Sequence, residues 1–248
     1  MIDRDSLLLY KTFPTAIQIE KDYLQHLILM GMYERVSNNV VFKGGTALQK
    51  VYGVERFSED LDFAMNADSL TEIDDGLENA SKYCEILEDI GAGRRTIAGV
   101  TSFTLRIRGP ISIHSVSVDV SDEHTLLSPL LRQIKPVYGD LRPYIVAVMD
   151  EREILAEKVR AVLSRKTKKA RDIYDLYFIL KNGVDIDVNL VYEKLRLINK
   201  RFSTEGLRNA LEGMRSAWPD LKEYVNDLPD YGAATAYILE KFDDLIWL

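Results

Sequence analysis

Asp60 and Asp62 stand two residues apart, each followed by an apolar neighbour, Leu61 and Phe63. On an extended strand that spacing sends both carboxylates from one face, while the apolar partners pack on the other. Two hard oxygen donors side by side suit magnesium or manganese. A cation held there can neutralise a polyphosphate, polarise a phosphorus under attack and lower the pKa of an attacking hydroxyl. By itself an Asp-x-Asp is common on the wet face of ordinary strands. Upstream, the β-prone run Val40-Val41-Phe42 ends at Gly44-Gly45-Thr46, and Ala47 to Tyr52 can wind as a helix. Strand, glycine turn and helix in that order let backbone N–H groups approach phosphate oxygens, with the Thr46 hydroxyl at the positive end of the helix dipole. Taken alone, the same turn is equally a plain connection that uses glycine for its torsion angles.

A third carboxylate is expected from a neighbouring strand. Asp119 lies in the alternation Val116, Val118, Val120 and faces away from those valines, on the surface that Asp60 and Asp62 would share. The other reading of Asp119 is an exposed strand residue. Five cations fall in the seven positions from Arg165 to Arg171, as a solvated helix junction or as a grip on phosphates. The net charge of −7 argues against a protein that coats nucleic acid. Cys84 has no partner for an internal disulfide or a zinc site, and His26, His114 and His124 share no ligand spacing.

Around these residues the elements follow from periodicity. A helix is expected from Pro14 to about Arg35, and a strand around Asp60 to Phe63. A loop is expected from Asn66 to Asp75 and a helix from Gly76 to Ile90. Two alternating strands, 103–108 and 111–120, are punctuated by Gly109-Pro110. The apolar run Tyr144 to Met149 leads to Asp150-Glu151-Arg152-Glu153, which has the form of a capping box, so a helix should start there. A second helix is expected from Ala170 to Leu180, and no β-rich segment follows Met149. The expected organisation is therefore two domains, 1–149 mixed and 150–248 helical. With 46% hydrophobic and 29% charged residues the chain is globular rather than disordered. Its apolar runs fall far short of the roughly 20 residues that span a bilayer. With no basic leader at Met1 to Asp5, a cytoplasmic location without a membrane partner is expected.

The combined pattern resembles a known family. Phe42-Lys43-Gly44-Gly45-Thr46-Ala47-Leu48 followed by Arg56-Phe57-Ser58-Glu59-Asp60-Leu61-Asp62-Phe63 is similar to the glycine turn and Asp-x-Asp of nucleotidyltransferases. More narrowly it resembles the AbiEii family, which includes the MenT-type toxins of type IV toxin–antitoxin systems, within the polymerase-β-like nucleotidyltransferase superfamily. Glu153 to Ala161 and Lys169 to Leu176 are similar to that family's second signature, and Glu20-Lys21-Asp22-Tyr23 resembles its N-terminal helix. The resemblance implies an α+β fold: a small mixed β-sheet nucleotidyltransferase core with flanking helices, then an α-helical half that closes a nucleotide cleft. It implies Asp60, Asp62 and Asp119 as catalytic metal ligands for magnesium or manganese, and Lys158 as a catalytic residue on the β- or γ-phosphate. Lys43, Gly44, Gly45, Thr46, Ser58, Arg165, Arg171, Asp172 and Asp175 are implied nucleotide-binding positions. Asp172 and Asp175 would orient Lys158 or the base, or form an ion-pair network between packed helices.

The implied activity transfers a nucleoside monophosphate from a nucleoside triphosphate to an acceptor hydroxyl and releases pyrophosphate. The implied acceptor is RNA, such as the 3′ end of tRNA, in a growth-inhibiting toxin opposed by a cognate antitoxin that need not bind it stably. A small-molecule or protein acceptor keeps the same chemistry, and a nucleotide-binding module without turnover is the reading outside enzymology. Steep loss of binding with added salt separates an RNA acceptor from a small one.

Overall fold

The computed structural model describes residues 1–65, 70–165, 169–243 and 245. It divides into two compact units, Met1–Met149 and Asp150–Leu248. The first is built on one mixed sheet. Its strands are β1 (Val40–Lys43), β2 (Leu61–Met65), β3 (Glu85–Ile86), β4 (Arg95–Ile97), β5 (Val100–Arg108), β6 (Ile113–Ser121), β7 (Leu130–Ile134) and β8 (Tyr144–Val148). Their order is β3-β5-β6-β2-β1-β8-β7, with β4 also paired to β5. The pairs β1–β8 and β2–β6 are parallel, while β1–β2, β5–β6 and β7–β8 are antiparallel.

One face of this sheet carries the main core, and the other is also buried at β1, β2 and β8, where Val41, Ala64 and Ala147 are at most 1% exposed. Phe42, Phe63, Phe103, Leu105, Val118 and Val146 are fully buried on the core face, and Phe42 stacks against Phe63 with ring centroids 5.5 Å apart. Helix α2 (Ala16–Met32) is covered on almost every side, as its all-round burial shows. It opens with a capping box in which Thr15 accepts from the Gln18 amide and Gln18 returns to the Thr15 amide. Helix α4 (Leu70–Ala80) packs on α2, and a short helix α1 (Arg4–Leu7) precedes both.

Polar residues of α2 are buried because each holds a neighbouring segment. Glu20, fully buried, accepts from the Ile111 and Ser112 amides, the Ser112 hydroxyl and His114 Nε2 (2.6 Å), and so ties the β5–β6 connection down. Asp22 accepts from Lys50 Nζ at 2.6 Å, Gln49 Nε2 at 2.7 Å and the Tyr138 hydroxyl at 2.8 Å. Lys50 and Gln49 lie on α3 (Gly44–Tyr52), the helix after β1. Burial would favour the neutral acid, yet the Lys50 ammonium and these hydrogen bonds hold the Asp22 carboxyl below its ordinary value. Burial pushes the Cys84 thiol up to about 12, so it is chemically quiet.

The second unit is helical among its described residues. It contains α5 (Glu151–Ser164), α6 (Ala170–Lys181), α7 (Val188–Arg196), α8 (Thr204–Glu212), two 3-10 turns (Arg215–Ala217 and Pro219–Glu223) and α9 (Tyr231–Asp243). Asp150 caps α5 by accepting from the Arg152 amide. Lys194 of α7 is fully buried between Glu153 (2.9 Å) and Glu157 (3.1 Å) of α5. Among the described residues no helix is long and apolar enough to cross a membrane.

Several elements differ from the sequence reading. The helix expected over Gly76–Ile90 runs over Leu70–Ala80, because Ile73, Leu77 and Ala80 pack on α2 and override the turn-like Asp74-Asp75-Gly76. Part of the expected loop, 66–69, lies outside the described residues. The expected strand at Asp60 begins at Leu61. Strands β3, β4 and β7 carry no clear alternation in sequence; β7 has three consecutive exposed residues.

Two outcomes follow. Asp22→Ala leaves the Lys50 ammonium buried without its carboxylate, so urea unfolding should show a loss of about 3–5 kcal/mol; a loss under about 1 kcal/mol would contradict the hub. Burial and the Asp150 charge raise the Glu151 carboxyl from 4.5 to about 7. A raised carboxyl stabilises the fold fully below pH 4.5, and that contribution disappears as pH climbs through about 7. Glu151→Gln should therefore reduce the difference in stability between pH 5 and pH 8 by about 1 kcal/mol, a figure discounted for its partial exposure. An unchanged pH profile of the melting temperature counts against the shift.

Candidate active site

Register places three of the expected residues in one row. Lys43 is the cross-strand partner of Asp62, Asp62 of Asp119, and Asp119 of Ser102. Paired residues in a sheet share a face. The row Lys43, Asp62, Asp119, Ser102 therefore crosses four adjacent strands on the face opposite Phe42, Phe63 and Val118, and all four are half-buried. Alternation along β6 extends that surface to Ser117, whose hydroxyl donates to Asp119 Oδ1 at 3.3 Å.

The glycine turn meets this row directly. Gly44 has φ +77°, and a Cβ there would fall against the Asp62 carboxylate, with Cβ and Cγ both at 2.9 Å. Gly45 has no such strain, but a Cβ on it would press on the Arg56 guanidinium and lie 2.8 Å from Ser58 Oγ. The turn is therefore lined by a carboxylate on one glycine and by a cation and a hydroxyl on the next. Lys43 is the N-cap of α3 with no side-chain cap, so the first amides of the helix remain at the turn.

Three side chains fix the segment that leads into β2. Gln25 of α2 donates to the carbonyls of Ser58 (2.8 Å) and Glu59 (2.9 Å). Gln49 accepts from the Ser58 amide at 3.0 Å while donating to Asp22. The Thr46 hydroxyl donates to the Asp60 carbonyl at 2.5 Å. Thr46 is fully buried, so its hydroxyl sets the path of the chain at Asp60 instead of facing outward. Asp60 itself is half-buried, one residue before β2. Arg56, only 2% exposed, donates to the Phe57 carbonyl at 3.0 Å. Sequence reasoning had not singled out Gln25, Gln49 or Arg56; a Gln between Leu24 and Leu27 on an apolar helix was the available signal.

In the second unit the remaining expected residues form a separate cluster. Lys158 of α5 contacts Asp172 Oδ1 at 3.1 Å and Asp175 Oδ2 at 2.6 Å, and Arg165 contacts Asp172 Oδ2 at 2.5 Å. Both aspartates are buried and Lys158 is 8% exposed. Lys158 and Arg165 thus face Asp172 and Asp175 in ion pairs between α5 and α6. Asp172 and Asp175, one turn apart on α6, hold the ammonium in place. Arg171 is half-buried in the first turn of α6, and of the basic cluster residues 166–168 lie outside the described residues.

Divalent-cation binding can be judged from the donor set. Among the described residues no three carboxylate, histidine or cysteine groups are gathered to hold an ion. Asp62 and Asp119 nonetheless stand side by side in register, both half-buried. Two hard carboxylates fit a cation that keeps its waters and takes further oxygens from a bound phosphate.

Residues 29–246 match the family described as nucleotidyl transferase AbiEii toxin, type IV TA system, and the chain belongs to that family. Its fold is similar to that of the MenT4 nucleotidyltransferase toxin from Mycobacterium tuberculosis H37Rv, at 21% identity, over 99% of this chain and 91% of that one, with a TM-score of 0.66. It is also similar to JHP933 from Helicobacter pylori, at 16% identity over 92% of this chain and 91% of that one, with a TM-score of 0.60. No protein of curated function matches the sequence.

The contact between Gly44 and Asp62 makes a defined double-mutant cycle. Gly44→Ala should destabilise by about 2–3 kcal/mol, from the left-handed backbone together with the collision at Asp62. In an Asp62→Ala background the same change should cost only about 1–2 kcal/mol. Strict additivity in urea melts would show that the two residues do not touch.

Proposed function

We propose that the chain transfers a nucleoside monophosphate from a nucleoside triphosphate to a hydroxyl of an RNA acceptor, such as the 3′ end of a tRNA. In this reading the product halts growth, and a cognate antitoxin relieves the block without a need for a stable complex. The observation that carries it is the Asp62 carboxylate packed on the Gly44 turn, with Asp119 beside it in register.

The triphosphate docks on the amides at the start of α3, where Gly44 and Gly45 leave room for phosphate oxygens and Lys43 adds a positive charge. Arg56 and Ser58 support that turn from below. The acceptor hydroxyl approaches the α-phosphorus in line. A bond forms from its oxygen to the α-phosphorus, the bond from that phosphorus to the bridging oxygen of the β-phosphate breaks, and pyrophosphate leaves with the bridging electrons. Asp119 takes the hydroxyl proton and passes it to solvent. Asp60, Asp62 and Asp119 are the residues to hold magnesium or manganese, which when bound supplies charge neutralisation for the phosphates. Family resemblance extends the assignment to Lys158, kept cationic and oriented by Asp172 and Asp175, and to Arg165 and Arg171 as phosphate contacts.

The test is transfer of label from each α-labelled nucleoside triphosphate to total cellular RNA. Asp62→Asn and Asp119→Asn should each lower transfer by about 100-fold or more while the melting temperature stays near that of the parent. Chelation of divalent cations should abolish it. Full activity in either variant would remove the carboxylate mechanism. Label that appears only on a small molecule or on protein would replace RNA as the acceptor.

A further inference from the structure

The polar face does not stop at the carboxylates. Moving along β5 and β6 away from Asp119, the cross-strand pairs on that face are Ser102 with Asp119, Thr104 with Ser117, Arg106 with Ser115, and Arg108 with Ile113. Arg95 of β4 joins the same face as the partner of Ser102. Ser102, Ser117 and Asp119 are half-buried, whereas Thr104, Arg106, Arg108, Ser115 and Arg95 are exposed. The surface thus shelves from a sheltered end at the carboxylates to an open end at the β5–β6 connection. Helix α2 lies on the opposite side of the sheet, where Tyr33 meets Phe63 and His26 hydrogen-bonds with the Tyr144 hydroxyl.

From this arrangement we infer that the outer face of β4, β5 and β6 is a track for the single-stranded 3′ end of the RNA acceptor. The inference rests on the nucleotidyl-transfer reading and adds where the acceptor lies. Three features select the occupant. Hydroxyl and guanidinium donors recur every two residues, a repeat of about 6.8 Å along a strand, comparable with the spacing of successive phosphates in an extended single strand. Arg95, Arg106 and Arg108 supply positive charge on a chain whose overall charge is −7. Serine and threonine hydroxyls both donate and accept, which suits the ribose 2′-hydroxyl. The track also ends at Asp119, the position from which a 3′-terminal hydroxyl would lose its proton.

Arg106 and Arg108 are paired with Glu88 (2.7 Å) and Glu85 (3.1 Å), all about half exposed. Exposed pairs of this kind are worth little and leave most guanidinium donors available, so they hold the arginines over the strand and yield to phosphate. A backbone grip of this type is indifferent to base sequence and sensitive to salt.

The experiment uses a short 5′-fluorescein-labelled single-stranded RNA and the full chain, with affinity read by anisotropy across a salt series. Arg95→Gln, Arg106→Gln and Arg108→Gln combined should weaken binding by about tenfold or more, and should make the slope of log affinity against log salt shallower by about 2. These exposed substitutions should leave the melting temperature within a few degrees of the parent, which is measured alongside. An unchanged affinity and slope in the triple variant, with the parent binding and labelling RNA, overturns the track alone. A parent that neither binds nor labels RNA overturns the acceptor reading itself. DNA of the same sequence bound as tightly as RNA overturns the role given to the hydroxyls.

Discussion

Everything at the candidate site depends on one close approach, the carboxylate of Asp62 against the α-carbon of Gly44. It exists because β1 and β2 are antiparallel with Lys43 opposite Asp62, so the residue after Lys43 turns back over its neighbour's side chain. A side chain at position 44 would have to occupy the space of that carboxylate and also adopt a left-handed backbone at φ +77°. The glycine is thus required twice, for its torsion and for its missing atoms. The same approach brings an acidic group, half-buried, under the first turn of a helix, an arrangement that is unfavourable unless positive charge stands nearby. Lys43 opposite Asp62 and Arg56 beneath Gly45 supply it.

The support for this contact runs deep into the first unit. Asp22 binds Gln49, Gln49 binds the Ser58 amide, Gln25 binds the Ser58 and Glu59 carbonyls, and Thr46 binds the Asp60 carbonyl. The end of a segment without regular hydrogen bonding, between α3 and β2, is thereby given side-chain partners for the Ser58 amide and for the Ser58, Glu59 and Asp60 carbonyls. The second unit uses a parallel device. On α5, Glu153 and Glu157 take Lys194, while Lys158 takes Asp172 and Asp175, so one helix is fastened to α7 and α6 by buried charges of opposite order. Buried networks of this kind fix geometry more than they add stability.

How much was legible in the amino-acid sequence divides along physical lines. Alternation around Asp62 and Asp119, the double glycine and the Asp150 cap are local signals, and β1, β2, β5, β6, β8 and α5 appear close to where those signals put them. The family resemblance drew on the same local motifs and agrees with the family to which the chain belongs. What local pattern could not carry was partner choice. That Asp62 pairs with Asp119 is a matter of long-range register, and that Thr46 spends its hydroxyl on a carbonyl needs the path of the chain fourteen residues on. Helix α4 was misplaced because its period is set by what α2 offers it, and β7 was invisible because an edge strand exposed on both sides has no apolar rhythm.

The row Lys43, Asp62, Asp119 draws its three members from strands that are distant along the chain, and two kinds of pairing lock it. A one-residue slip of any strand would turn its member to the opposite side of the sheet, so no approximate version of the row exists. During synthesis the glycine turn and Asp62 leave the ribosome well before β6 is made, and until β6 is seated the row is incomplete. The row is therefore completed in a single step, by the seating of one parallel strand pair, and not by degrees.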